Sequence, residues 1–332
     1  MLIDGLQCGH FTRSVLDELR RADVGCVTVT VGFWETAIEA MDGIAWWRDF
    51  ERDNADIMLI AYGADDVTAA HAAGRIAVVL GFQNATLYNG RIRFVELFAE
   101  MGIRVVQLTY NNQNDYAGSC YEAEDSGLSR FGREIVTEMN RAGILVDLSH
   151  VGNRSTLDAI RHSQKPVAVT HANADSLFPH RRNKTDDVLK ALKDNGGIIG
   201  CACYRNITGD DYCSTVDRWC ELVARTVDIA GIDHVGVGTD RSHNFAPPDY
   251  DWMRKGRWTR GVDYGAGSAA RPGKVPPADW FKELSGIATV APGLGRAGFN
   301  SDEVDKITHK NWLRVYRDVF AARRNDRTNM PT

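Results

Sequence analysis

No stretch of this chain reaches the roughly 18 consecutive apolar residues that a membrane helix needs, and no run of lysine and arginine stands out. The net charge is -5. An anionic membrane surface or a nucleic acid is therefore not the expected partner. The seven cysteines are an odd number and none falls in a CxxC pair, so reduced thiols are expected rather than a disulfide framework. The opening MLIDGLQCGHF has no basic segment followed by a long apolar core. It predicts no secretory signal, and the expected location is cytoplasmic. Internal repeats and low-complexity segments are absent too. What is present is ordinary globular material, 44% hydrophobic and 25% charged over 332 residues, enough for a large core.

Short apolar, β-branched runs recur along the chain. They lie near Leu2 and at 24–31, 76–82, 103–110, 144–150, 166–171, 197–203 and 234–240. These eight are near-continuous rather than alternating, the pattern of strands buried on both faces. Helical spacing lies between them, at 91–101, 132–142, 156–163 and 215–230. Strand and helix alternating eight times predict an α/β protein of the (β/α)8 TIM-barrel type, one domain over 1–332. A doubly wound open sheet is the alternative. The Gly-, Pro- and Trp-rich stretch 244–274 reads as a long loop over the barrel mouth, and 302–323 as a turn with a closing helix.

Catalysis in such barrels sits at the C-terminal strand ends. The residues there are Leu6 to Cys8, Thr30 to Trp34, Gln83, Tyr110, His150, His171, Tyr204 and Asp240. Two histidines and an aspartate thus end apolar strands around one mouth. His150 and His171 belong to neighbouring strands, about 4.8 Å apart, within reach of a shared metal, and neutral imidazoles suit zinc. His10, His71, His162 and His309 read as surface or packing residues. His234 begins a strand and reads as structural, while His180 and His243 are weaker candidates near the mouth.

Five motifs then resemble, in order, the renal or membrane dipeptidase family of zinc peptidases. They are GIRVVQLTYNNQN at 102–114, DLSHVG at 147–152, THANA at 170–174 with RRNKTDD at 181–187, GIDHVGVGTD at 231–240 and NWLRV at 311–315. The resemblance implies a metal-dependent, amidohydrolase-type barrel, two zinc ions bridged by a glutamate, cleavage of dipeptides, and a homodimer. It implies that His150 and His171 ligate the second metal. Asp240 would ligate the first and take a proton from the bridging water. Arg182 would bind the substrate carboxylate, a task suited to a planar guanidinium.

The departures from the family pattern fall on the first metal. Leu6 stands where a histidine ligand would be, Cys8 where an aspartate would be, and Gln83 where the bridging glutamate would be; Tyr110 replaces a substrate-contacting histidine. Two divalent cations about 3.5 Å apart repel by about 5 kcal/mol even at the dielectric constant of water. Neutral Gln83 cannot offset this. The expectation is zinc at one ion at most, or none, on His150 and His171. Cys8, Gln83 or Asp240 are the candidate third ligands. Asp240 and Tyr110 are then the catalytic candidates, and Arg182, Tyr110 and Asn112 the substrate-binding ones.

Three functions remain open on these residues. The first is a metal-dependent hydrolase cleaving the amide of a dipeptide or similar small carboxylate-bearing substrate. The second is a hydrolase or lyase of a small nitrogenous catabolite, with Phe33, Trp34, Trp46 and Trp47 shaping a pocket that would suit a methylated ammonium. The third is a metal-depleted binding protein.

Overall fold

The computed structural model describes residues 1–257 and 275–320. Eight parallel strands close on themselves: β1 Leu2–Gly9, β2 Val24–Thr30, β4 Ile76–Phe82, β5 Ile103–Gln107, β6 Leu145–Asp147, β7 Ala168–Ala172, β8 Ile198–Cys201 and β9 Val235–Val237. The closing pair joins Asp4 of β1 to Val237 of β9. The fold is thus the (β/α)8 barrel that the apolar runs predict, and the open-sheet alternative is excluded. Helices α1 Arg13–Arg21, α2 Ala37–Asp53, α3 Ala64–Ala72, α4 Phe94–Met101, α5 Arg130–Ala142, α6 Asn153–His162, α7 Asp186–Asp194, a single turn α8 Arg205–Thr208 and α9 Val216–Ala230 lie between the strands.

Two further strands escape the sequence reading, one a brief apolar run and the other polar. β3 Met58–Ile60 pairs with the start of β4, outside the ring, and β10 Arg241–His243 continues the mouth beside β1. The predicted loop at 244–274 is in part a helix, α10 Pro247–Lys255, opened by prolines at its first turn, where a missing N–H costs nothing. Residues 258–274 of that loop lie outside the described residues. The predicted closing helix is interrupted. It runs as α12 Ser301–Asp305, a π turn at Lys306–Lys310, and α13 Asn311–Val319, while 321–323 are outside the described residues. A separate helix, α11 Val290–Arg296, packs against α9.

Alternation along the strands divides the apolar residues between two layers. On β4, Ile76, Val78 and Leu80 pack into the cluster shared with the helices, while Ala77 and Val79 join a second cluster with Ile3, Cys26, Ala168 and Ile198. Trp312 and Tyr316 belong to this second cluster, so α13 plugs the barrel interior. Trp312 is fully buried, and its Nε1–H donates to Val237 O at 3.0 Å. Asn311 donates to the carbonyls of Ile232 and Val235, both at 2.8 Å. The NWLRV motif is therefore a bottom seal. Burying an indole of this size contributes roughly 4–6 kcal/mol of apolar transfer. No helix among the described residues is long and apolar enough to cross a membrane. All seven cysteines are free and buried, as the spacing predicts.

Candidate active site

The site begins with the buried carboxylate of Asp147 at the end of β6. One oxygen accepts from Ser149 N (3.0 Å), Ser149 Oγ (2.6 Å) and Thr170 N (3.0 Å). The other accepts from Thr170 Oγ1 at 2.7 Å. Four donors on one carboxylate lock the tips of β6 and β7 together, which sets His150 and His171 side by side.

The hydrogen bonds also fix which ring nitrogens carry protons. Thr170 gives its only proton to Asp147, so it accepts from His171 Nδ1 at 2.8 Å. Asn111 Oδ1 can only accept, so it takes the proton of His150 Nδ1 at 2.7 Å. Both Nε2 atoms are left with lone pairs, and they face each other at 3.2 Å. Burial, and then the charge of Arg182, push both imidazoles well below their ordinary value. Two neutral nitrogens face to face are unfavourable unless an electrophile sits between them. Ligands about 2.0–2.1 Å from one tetrahedral zinc lie about 3.3 Å apart, which matches the spacing here.

His150 forms one wall of a cavity of about 260 Å³ that also meets Tyr110, Arg182, Asp240, Cys8 and Gln83. His171 lies fully buried behind it. Asp240 follows β9 with φ +58, a left-handed conformation that aspartate tolerates better than most residues. Burial raises its carboxyl to about 7, with Asp4 and Asp147 adding to the rise and Arg182 opposing it. The Tyr110 ring stacks on His150 at 4.2 Å between centroids. Burial and the Asp240 charge keep its phenol protonated, well above the ordinary tyrosine value. Arg182 is buried. Its guanidinium donates to the carbonyls of Ser149 and, at 2.7 Å, His171.

Of the other predicted residues, Cys8 and Gln83 line the same cavity, whereas Asn112 and Leu6 do not. Asn112 borders a neighbouring polar pocket with Trp34, Thr36 and Asn84; it is Asn111, missed in the sequence, that touches His150. The signal for Asn111 was its place beside Tyr110, but nothing in the spacing told the two asparagines apart. Cys8 packs with Phe33, Trp34 and Tyr110. Burial, and then Asp240, raise its thiol well above the usual range. Gln83 spends its amide N–H on Thr30 Oγ1 at 2.8 Å. Leu6 is buried and offers only its backbone carbonyl, which accepts from Asp240 N. His180 Nδ1 accepts from Arg182 N at 3.1 Å and shapes the turn that carries Arg182. His243 is bound to Gln7 Oε1 at 2.8 Å, and His234 Nδ1 to Gly197 O at 2.8 Å, both structural roles.

The family model of the membrane dipeptidases (Peptidase family M19) matches residues 16–249. The chain belongs to this family. Among curated relatives, a dipeptidase of Claviceps purpurea is 31% identical over 268 residues, 80% of this chain and 56% of its own length. An uncharacterized dipeptidase of Schizosaccharomyces pombe is 34% identical over 194 residues, 56% of this chain and 46% of its own. The chain thus spans about half the length of the curated relatives it matches. Among solved structures, an amidohydrolase from Pseudomonas aeruginosa is 32% identical with TM-score 0.88, covering 96% of both chains. A metallopeptidase from Rhodobacter sphaeroides, liganded with a phosphinate mimic of L-Ala-D-Ala, shares the fold at 18% identity and TM-score 0.77, over 96% of this chain and 99% of its own.

A dipeptidase of this family is metal-dependent, so the donor set is decisive. The paired-ion arrangement does not fit these residues. Leu6, Cys8 and neutral Gln83 stand on the first-ion side. Among the described residues no three or more His, Cys, Asp or Glu side chains are grouped to hold a metal ion. One ion held at the corner formed by His150 and His171, with water or substrate completing its coordination, fits both the spacing and the protonation of the two rings.

Proposed function

We propose that this chain is a metal-assisted amide hydrolase of the dipeptidase class, acting on a dipeptide or similar small substrate that bears a carboxylate, with one zinc ion at most. The observation that carries the reading is the pair of unprotonated imidazole nitrogens, 3.2 Å apart, at the edge of a cavity that also holds a carboxyl group with a pKa of about 7. When bound, a zinc ion would polarise the scissile carbonyl and lower the pKa of a coordinated water towards 7.

The remaining roles fall to side chains. Asp240, balanced near neutrality, accepts a proton from the attacking water and passes it to the departing nitrogen. The Tyr110 hydroxyl, kept protonated, donates to the oxygen on which negative charge develops. Arg182 holds the substrate carboxylate with the N–H groups it does not spend on Ser149 and His171. Asn112 meets only a substrate group that extends into the side pocket. A homodimer and a cytoplasmic setting belong to the same reading.

The test is turnover of a dipeptide panel with zinc, then with chelator, for the wild type and His150→Ala. Expected is hydrolysis abolished by either treatment. Turnover that survives both chelation and loss of the imidazole would refute the reading.

A further inference from the structure

A second buried carboxylate repeats the arrangement around Asp147. Asp4, on β1, is fully buried. Its Oδ1 accepts from Thr239 N at 2.8 Å and Leu6 N at 3.3 Å. Its Oδ2 accepts from Thr239 Oγ1 at 2.6 Å and Gln7 Nε2 at 2.8 Å. The register is the same in both places. Asp147 pairs with Ala168, and Asp4 pairs with Val237. Two residues beyond each partner stands a threonine, Thr170 or Thr239. Each gives its carboxylate both a backbone N–H and a hydroxyl proton. The residue after each threonine is one that the proposed chemistry uses, His171 or Asp240.

The two clamps differ in what the threonine oxygen accepts. Thr170 Oγ1 takes the ring proton of His171 itself. Thr239 Oγ1 instead accepts from the backbone N–H of Arg241 at 3.3 Å, so one hydroxyl bridges the residues on either side of Asp240. Asp240 N donates to Leu6 O at 3.1 Å, and Leu6 N in turn donates to Asp4. The backbone is therefore fastened before, at and after Asp240. At φ +58 Asp240 occupies a region that a residue other than glycine holds only when its surroundings determine it. The fourth donor to Asp4 is oriented too. Gln7 Oε1 can only accept, so it takes the Nε2 proton of His243 at 2.8 Å, which turns the Gln7 amide N–H to Asp4.

Desolvating a carboxylate costs free energy even where four donors surround it. What these four bonds hold is the turn that carries Asp240 to the cavity wall. We propose that Asp4 is the positioning residue of Asp240. It acts through Thr239, and its loss impairs proton transfer rather than the binding of substrate or metal. This rests on reading Asp240 as the proton carrier of an amide hydrolase. A base displaced by about 1 Å loses about 100-fold in rate. Arg182 and the histidine pair belong to the other clamp, where Arg182 donates to the carbonyls of Ser149 and His171, so they stay in place.

The experiment compares Thr239→Val, which has nearly the same shape but no hydroxyl, with Thr239→Ser, which keeps one. With zinc and the best dipeptide of the panel, Thr239→Val should lower kcat about 10–100-fold and leave KM within about two-fold. Thr239→Ser should return kcat to within about three-fold of the wild type. In an Asp240→Asn background Thr239→Val should cost nothing further, because the clamp works only through Asp240. Zinc affinity in calorimetry should be unchanged by Thr239→Val. Asp4→Asn should act in the same way, since its amide nitrogen would face two donors, and Thr239→Val carries the test if that protein fails to fold. A raised KM with kcat held, losses that add in the double variant, a fall in zinc affinity, or Thr239→Ser no better than Thr239→Val would each overturn the proposal. A crystal structure of the Thr239→Val protein needs no activity. Asp240 should leave its left-handed conformation there, and an unmoved Asp240 would overturn the proposal as well. If the wild type hydrolyses no amide, the hydrolase reading falls, and that crystal structure alone decides whether the clamp positions Asp240.

Discussion

Replacing Asp147 by Asn tests whether hydrogen bonding alone sets the protonation of the histidine pair. The Asn side chain has one acceptor oxygen and one donor nitrogen. Its oxygen must take the place that faces Ser149 N, Ser149 Oγ and Thr170 N, because a donor there would oppose two fixed backbone N–H groups at 3.0 Å. The amide nitrogen then lies opposite Thr170 Oγ1, at the position now occupied by an accepting oxygen at 2.7 Å. Thr170 becomes an acceptor there, and its own proton turns to His171 Nδ1 at 2.8 Å, a nearer and more basic acceptor than Ser149 Oγ at 3.1 Å. That nitrogen must now accept, and the ring proton moves to Nε2, directly opposite His150 Nε2. Three charge-assisted bonds weaken to neutral ones and the fourth reverses, a loss of roughly 2–4 kcal/mol in stability. Zinc affinity should fall at least about 10–100-fold, the usual cost of disturbing a ligand's hydrogen-bond partner. Nitrogen-15 NMR of the histidine rings in chelated protein reads the tautomer directly, and calorimetry reads zinc. A His171 that keeps its proton on Nδ1 in the Asp147→Asn protein would refute this chain of reasoning.

Lys184 is fully buried, and burial lowers its ammonium from 10.5 to about 7. Its folded value lies below its unfolded one, so it detracts from stability increasingly as pH falls from about 10.5 to 7. Lys184→Met should remove that slope, worth at most roughly 4–5 kcal/mol, less about 1–3 kcal/mol for the lost bonds to Val151 O and Thr156 Oγ1; parallel urea titrations of both proteins between pH 7 and 10 with equal slopes would contradict it. A methyl group at Gly238 would come within 1.9 Å of Thr170 O, so Gly238→Ala should destabilise by about 3 kcal/mol or more, whereas Gly63→Ala, with nothing within 4 Å, should be near neutral in the same denaturation assay. Cys8→Ala should leave zinc stoichiometry unchanged if the thiol only packs against Phe33, Trp34 and Tyr110; loss of the bound ion in metal analysis would identify Cys8 as a ligand.

The barrel was legible because strands such as Ile76–Phe82 are buried on both faces and therefore uniformly apolar, a signal that survives without knowledge of the fold. β3 and β10 were not, since Met58–Ile60 is a brief run and Arg241–His243 is polar, whereas the equally short β6 and β9 sit inside longer apolar runs; α10 was hidden by a composition that also suits loops. At the site, His150, His171 and Asp240 stood out as polar ends of apolar strands. The distinction between Asn111 and Asn112 did not, because it depends on a left-handed backbone at Asn111 (φ +59) that turns one side chain to the imidazole and the other into a side pocket. Cys8 is a candidate ligand by position; its packing against Phe33, Trp34 and Tyr110 depends on burial, which one sequence does not encode residue by residue.

The changes on the first-ion side bear on one electrostatic balance. A paired-ion site needs several carboxylates to hold four positive charges together. Leu6, Cys8 and Gln83 stand where such ligands are expected, and Gln83 brings a neutral amide to the cavity that His150 and Asp240 line. Restoring the acidic bridge with Gln83→Glu should therefore raise zinc affinity several-fold in calorimetry. Zinc bound no more tightly than by the wild type would show that missing negative charge is not what limits the site.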